Sequence, residues 1–308
     1  MCLARALTVP QPCPSALLNS GPPSLLSSIS VTTLISAQQK LARLHKIMRD
    51  VPSAIVAFSG GVDSTFVAAV AFDILGDRAL AVTGVSPSVP QTEVAEATQL
   101  AHTIGIAHEY IDTSELDDPD YVKNNPDRCF HCKDELYGRL QAIARERGIA
   151  AVLDGCNLDD TGDFRPGRRA ADQHAVRSPL VEAGLTKADI RELSRECGLP
   201  TWDKPAMACL SSRIPYGTPV TVETLSLVER AEAYLRSLGL RQLRVRHQVL
   251  ASGDPTARIE TDDAGLALLL EHRGEITEEL KALGYLYVTL DLAGYRTGSL
   301  NEALKNER

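Results

Sequence analysis

The chain is expected to be an α/β protein: a parallel sheet with helices on both faces, then a smaller α+β unit. Three observations predict this. Short apolar runs alternate with segments of helical period through the first half of the sequence. Beyond Pro219 the order changes to helix, two strands, more helices and a last strand. The length of 308 residues, with 44% hydrophobic content, suits one large domain or two modest ones.

The elements follow in order. Residues 1–36 are rich in Ser, Pro and Leu and contain no acid. They lack the basic start and continuous apolar centre of a signal peptide, so a disordered extension or an upstream start is expected. AQQKLARLHKIMRD places Leu41, Leu44, Ile47 and Met48 at helical spacing. AIVAFS reads as a buried strand, DSTFVAAVAFDILG as a helix stopped by Gly76, and ALAVTGVS as a second strand. TEVAEATQLAHTIG, AHEYID, KDELYGRLQAIARERG and IAAVLDG continue the alternation. From Asp159 to Thr218 the pattern loosens around one helix, TKADIRELSRECG, in a stretch holding Arg165, Arg168, Arg169, Cys209 and Arg213. Loops this long inside a compact domain are usually functional or disordered, and these residue types favour function. VTVETLSLVERAEAYLRSLG is a helix, LRQLRVRHQ and TARIE are strands, DDAGLALLLEHRGEITEELKALG is helical, and YLYVTLDL is the last strand. The expected boundaries are therefore 1–36, 37–218 and 219–308.

A net charge of −8 argues against a protein built on a nucleic-acid backbone. No apolar run reaches the length of a membrane span. The seven cysteines are an odd number without a secretory segment, so thiols, metal ligands or catalysts in a reducing cytoplasm are expected.

AFSGGVDST joins the end of the first strand to a helix. Gly60 and Gly61 let the backbone approach a ligand, and the amides of a helix N-terminus converge on an anion. Ser59, Ser64 and Thr65 add hydroxyl donors. The Walker pattern with its lysine is absent, so a cradle for a transferring γ-phosphate is not expected. The plain alternative is a glycine turn with a capping Asp or Ser. SGGVDS resembles the loop of the PP-loop ATP pyrophosphatases, an adenine-nucleotide α-hydrolase-like (Rossmann-like) fold. That resemblance implies that the loop grips the pyrophosphate of ATP and that ATP is cleaved to AMP and pyrophosphate. It also puts Gly84, Val85 and Ser86 near adenine or ribose. Asp63, with Asp159 and Asp160, is a candidate for holding Mg²⁺ on the pyrophosphate.

The ordered set SGGVDSTF, RCFHCKDELY, DGCNLDDTGDFRPGRRAA, SPLVEAGLTKADIR, WDKPAMACLSSRIPYGTPVT and YVTLDLAGYRTGSLNE resembles the LarE family over about residues 37–308. These are ATP-dependent sulfur transferases that build the nickel-pincer nucleotide of lactate racemase. The resemblance implies adenylation of a pyridinium dicarboxylate mononucleotide and its conversion to thiocarboxylates. It matches Cys209 to the family's sacrificial cysteine, with Arg213 beside it as a cation favouring thiolate. Cys129 and Cys132 in CFHC are not needed by a sacrificial site; with Cys209 they could supply three ligands to a [4Fe–4S] cluster, as in some LarE-like proteins. Zinc or a redox disulfide stays open, and His131 is expected to be a bystander. Cys156 and Cys197 are expected to be structural, and Cys2 and Cys13 idle.

An anionic mononucleotide needs arginines. Arg244 and Arg246 share one face of LRVRHQ, and the resemblance places an R-x-R phosphate site there. Arg168 and Arg169 are further candidates for ATP or substrate. Glu260 and Asp262 either bind a metal or orient the arginines. The expected partners are a small nucleotide substrate and further copies of the chain, with neither membrane nor nucleic acid. A tRNA thiolase and an amide ligase of the same superfamily are the rival readings; the second has no use for Cys209.

Overall fold

The computed structural model describes residues 36–162, 166–205, 208–296 and 298–302. The expectations for the N-terminal stretch, with Cys2 and Cys13, and for Arg165 lie outside these residues.

The nucleotide-side half runs α1 (Ala37–Arg49), β1 (Ala54–Ala57), α2 (Val62–Leu75), β2 (Ala79–Val85), α3 (Gln91–Ile104) and β3 (Ala107–Asp112). A short α4 (Pro119–Val122), a long α5 (Arg128–Arg147), β4 (Ala151–Leu153), and three helices follow: α6 (Gly167–Gln173), α7 (Pro179–Ala183) and α8 (Lys187–Glu196). The four strands pair in parallel in the order β3-β2-β1-β4. Side chains alternate across them. Ala54 and Val56 of β1 and Ala79 and Ala81 of β2 join the core beneath α1, α2, α3 and α8. Ile55, Ala57 and Val82 join the core beneath α5 and α6. Helix α2 is buried almost all round, from Val62 to Leu75, as a central helix of such a sheet must be.

The second sheet follows α9 (Val222–Ser237). It contains β5 (Leu243–Val249), β6 (Pro255–Thr261) and β7 (Tyr287–Leu290), with α10 (Asp263–Glu271) and α11 (Arg273–Leu283) between the last two. β5 and β6 are antiparallel and β6 and β7 parallel. Leu243, Val245, Ala257 and Ile259 pack on Leu235, Ile276 and Leu280 in a core of their own. A further apolar cluster joins the two halves: Tyr121 of α4 packs with Leu210, Ile214 and Val220 of the long loop and Leu225 and Val228 of α9. Among the described residues no helix is long and apolar enough to cross a membrane.

One expected boundary shifts. CFHC was placed just before the third long helix, but α5 begins at Arg128. Pro126 and Asp127 precede it, an ordinary helix start. Cys129 and Cys132 therefore share one face of the first helical turn, because side chains three apart on a helix are neighbours.

Candidate functional site

The phosphate loop has the expected form. Gly60 sits at φ +66°, and a Cβ there would lie 3.2 Å from the Ala97 Cα. Glycine is required both for the left-handed turn and for the close approach of α3. Ser64 donates to the Gly61 carbonyl at 3.3 Å, its oxygen accepts the Ser59 amide at 3.2 Å, and the Ser59 and Ser64 hydroxyls meet at 3.1 Å. Helix α2 starts at Gly61 without a side-chain cap, so its first amides are left for another acceptor. The Thr65 hydroxyl is buried with no partner.

The loop lacks a lysine in sequence, yet the fold brings two to it. Lys187, the first residue of α8, donates to Asp63 at 2.6 Å. Lys204 donates to the Gly60 carbonyl at 3.0 Å. The sequence reading missed both, because each comes from more than a hundred residues away: the separations are 124 and 144. Asp63 also accepts from Asn157 at 3.4 Å, and Gly155 lies against the backbone of Asp63 and Ser64. Asp159 accepts the Lys187 amide at 2.8 Å and Asp160 accepts the Asn157 amide at 3.1 Å, so both shape the loop beside the site rather than face a metal.

Two residues expected near adenine or ribose have structural contacts of their own. A Cβ on Gly84 would lie 2.9 Å from Leu136 of α5, so helix packing accounts for that glycine. Ser86 is buried and donates to Glu115 at 2.5 Å, while Ser88 donates to the same oxygen at 2.6 Å. Glu115 was not singled out in the sequence. It is 2% exposed, and its second carboxylate oxygen has no partner.

The cysteines do converge. Burial pushes both Cys129 and Cys132 up from the ordinary thiol range. The next cause for Cys129 is the charge of Cys209; for Cys132 it is Glu115, then Cys209. Cys129 has surface open to solvent although protein surrounds it, as a group on the wall of a cleft does. Lys133 follows Cys132 with its ammonium 5.1 Å from the centre of the Tyr137 ring. The Tyr137 hydroxyl, pushed up to about 12 chiefly by burial, donates to Asp154 at 3.1 Å.

Arg128 and Asn124 fasten the Cys209 loop to this helix start. Asn124 takes φ +57° and donates to the carbonyls of Pro215 at 2.8 Å and Thr218 at 2.9 Å. Arg128, hydrogen-bonded to Asn124, donates to the Ser211 carbonyl at 2.9 Å. Leu210 is tied to Ser88 by an amide-to-carbonyl bond of 2.8 Å. Asn124 in the left-handed region just before Pro126 was the one local signal of this arrangement.

Arg213 lies within electrostatic reach of Cys209 and also has a structural part. Its side chain is fully buried, and its guanidinium forks onto Glu232 at 2.8 and 2.9 Å. Its remaining donors meet the carbonyls of Ala208 and Cys209. It fixes the backbone of the cysteine loop. Arg246 reaches the same loop at the Ser212 carbonyl, 2.7 Å away, and pairs with Glu260 at 2.8 Å. Arg244 lies on the same face of β5 and donates to the Tyr295 hydroxyl at 3.2 Å. Glu260 stands between Arg246 and Arg258 and so orients arginines, while Asp262 caps α10 through the Gly265 amide at 2.8 Å. Arg169 stacks over the Phe130 ring at 4.6 Å, beside the cysteines, and Arg168 approaches Cys156 at 4.0 Å. Cys197 ends α8 and packs on the core as a structural residue, but it is disulfide-bonded rather than the thiol expected.

Among the described residues no three His, Cys, Asp or Glu side chains gather closely enough to chelate a single metal ion. The three thiolates of a [4Fe–4S] cluster stand on different irons and need not gather so tightly. Cys129, Cys132 and Cys209 influence one another's charge, so three thiols are available in this region.

Residues 39–149 match the NAD synthase family. The chain is 46% identical over 269 residues to an uncharacterized protein, slr1717, of Synechocystis sp., covering 87% of this chain and 98% of that protein. It is 41% identical over 267 residues to the pyridinium-3,5-bisthiocarboxylic acid mononucleotide synthase of Lactiplantibacillus plantarum, covering 86% and 95%. A weaker likeness, 29% over 203 residues and about half of each chain, links it to a tRNA-specific 2-thiouridylase of Synechococcus sp.. The chain belongs to the LarE family, ATP-using sulfur transferases of the PP-loop superfamily.

Proposed function

We propose that the chain converts the carboxylates of a pyridinium-3,5-dicarboxylate mononucleotide to thiocarboxylates at the expense of ATP. A carboxylate is a poor acyl donor because oxide is a poor leaving group. Attack of a carboxylate oxygen on the α-phosphorus breaks the α–β phosphoanhydride, forms an acyl adenylate and releases pyrophosphate. The uncapped N-terminus of α2, with Ser59, Ser64 and Thr65, is suited to the departing pyrophosphate, and Asp63 is the candidate Mg²⁺ ligand. Sulfur then attacks the acyl carbon, and AMP leaves. Arg244 and Arg246, on one face of β5, are suited to the substrate phosphate.

The observation that carries this reading is the convergence of Cys209 with Cys129 and Cys132, brought together by Arg128, Asn124 and Arg213. Cys129, Cys132 and Cys209 are the residues that would hold a [4Fe–4S] cluster. A cluster held by them would present sulfide taken up from an external sulfide source, so that no protein sulfur need be lost. In the second reading Cys209 itself attacks, and cleavage of its Cβ–S bond leaves thiocarboxylate on the nucleotide and dehydroalanine in the chain. The same three thiols are compatible with it, since one suffices.

The test is an anaerobic preparation given ATP, Mg²⁺ and the dicarboxylate nucleotide. Pyrophosphate and thiocarboxylate are expected to form together. Iron near four per chain, loss of turnover in Cys129→Ala and an unchanged chain mass support the cluster. A chain lighter by one H₂S per sulfur transferred supports sacrifice. Pyrophosphate release driven by tRNA and not by the nucleotide would sink the reading.

A further inference from the structure

Lys204 lies on the irregular segment after α8, five residues before Cys209. Its ammonium donates to the Gly60 carbonyl at 3.0 Å and pairs with Glu96 at 2.8 Å. The lysine side chain is 16% exposed, whereas Glu96 on α3 is 56% exposed. A mostly buried ammonium thus stands at the lip of the anion cradle, held by one neutral carbonyl and one exposed carboxylate. Such a pair is worth little in water and is easily exchanged. A polyphosphate in the cradle offers several charges and better acceptors at the same place.

We propose that Lys204 is a polyphosphate-binding residue, supplying from the cysteine segment the cation that the phosphate loop lacks. When ATP occupies the loop, the ammonium exchanges Glu96 and the Gly60 carbonyl for phosphate oxygens. When pyrophosphate leaves, it returns to them. The inference rests on the proposed use of ATP.

Calorimetry on the full chain with ATP, inorganic pyrophosphate and AMP tests it. Lys204→Met is expected to weaken ATP and pyrophosphate by on the order of 10- to 100-fold and to leave AMP unchanged. Glu96→Gln removes the competing anion from an exposed helix face, so it cannot be dismissed as misfolding. It is expected to tighten ATP by about two- to fivefold, again with AMP unchanged. Equal shifts for ATP and AMP in Lys204→Met, or a Glu96→Gln protein that binds ATP no better than the native chain, would overturn the inference. A native chain that binds no ATP would overturn the reading beneath it as well.

Discussion

Glu115 shows how much of this site rests on single side chains. Its carboxylate is buried against Ser86 and Ser88, and one oxygen is unpartnered. An uncompensated buried oxygen is costly, so its retention asks for a reason. Its charge is, after burial, the largest influence raising Cys132. Replacing Glu115 by Gln removes that charge while leaving an oxygen for the two serines. The Cys132 thiol should then ionise at lower pH, because its neighbour no longer opposes a thiolate. At any fixed pH below its native midpoint, Cys132 should alkylate faster, read by peptide mapping after iodoacetamide. Unchanged labelling would remove Glu115 from the chemistry of that thiol. Nothing in SELDD marks this acid in the sequence, where it reads as one of several solvated charges; only the packing of β2 and β3 buries it.

At the scale of elements, two loops define the nucleotide end. A Cβ on Gly155 would lie 2.8 Å from the Ser64 nitrogen and 3.1 Å from its Cα. Both are backbone atoms of the phosphate loop, so they cannot swing aside. Gly155→Ala is expected to cost about 1–3 kcal/mol through overpacking and to weaken ATP binding, with helix content unchanged by circular dichroism. Native ATP affinity in that variant would mean that the DGCN loop does not set the cradle. The cradle itself was legible because its signals are local: an apolar run, two glycines, hydroxyls and a helix in one short stretch. The parallel sheet was legible for the same reason. The lysines at Asp63 and Gly60, the anchoring by Asn124 and the burial of Arg213 were not, because each is a contact between distant segments. Even the start of α5 was misplaced, since CFHC reads as a ligand loop when the helix start at Pro126–Asp127 is overlooked.

The whole molecule is two sheets with the Cys209 loop clamped between them. On one side the loop is held by Ser88 and Arg128 of the nucleotide half. On the other it is held by Arg246 of β5 and, through Arg213, by Glu232 of α9. Glu232 also accepts the Val245 amide at 3.1 Å, so the buried ion pair reaches the second sheet directly. Burial works against the charge on each partner, and each ion holds the other charged. Breaking such a pair from one side leaves an uncompensated buried charge. Arg213→Met should therefore cost about 3–5 kcal/mol in urea unfolding. The Ala208 and Cys209 carbonyls lose the Arg213 donor at the same time, and the Cys209 carbonyl keeps the Ser212 amide. Cys209 should then be alkylated faster under native conditions, while Cys156, in the DGCN loop, keeps its native rate. Adding Glu232→Leu should restore part of the stability, because no buried charge is then left alone, though the Val245 amide loses its acceptor. It should not restore protection of Cys209, since the Arg213 donor to the two carbonyls is still missing. If the double variant regains both, the pair serves only the core of the second sheet, and the cysteine loop is positioned without Arg213.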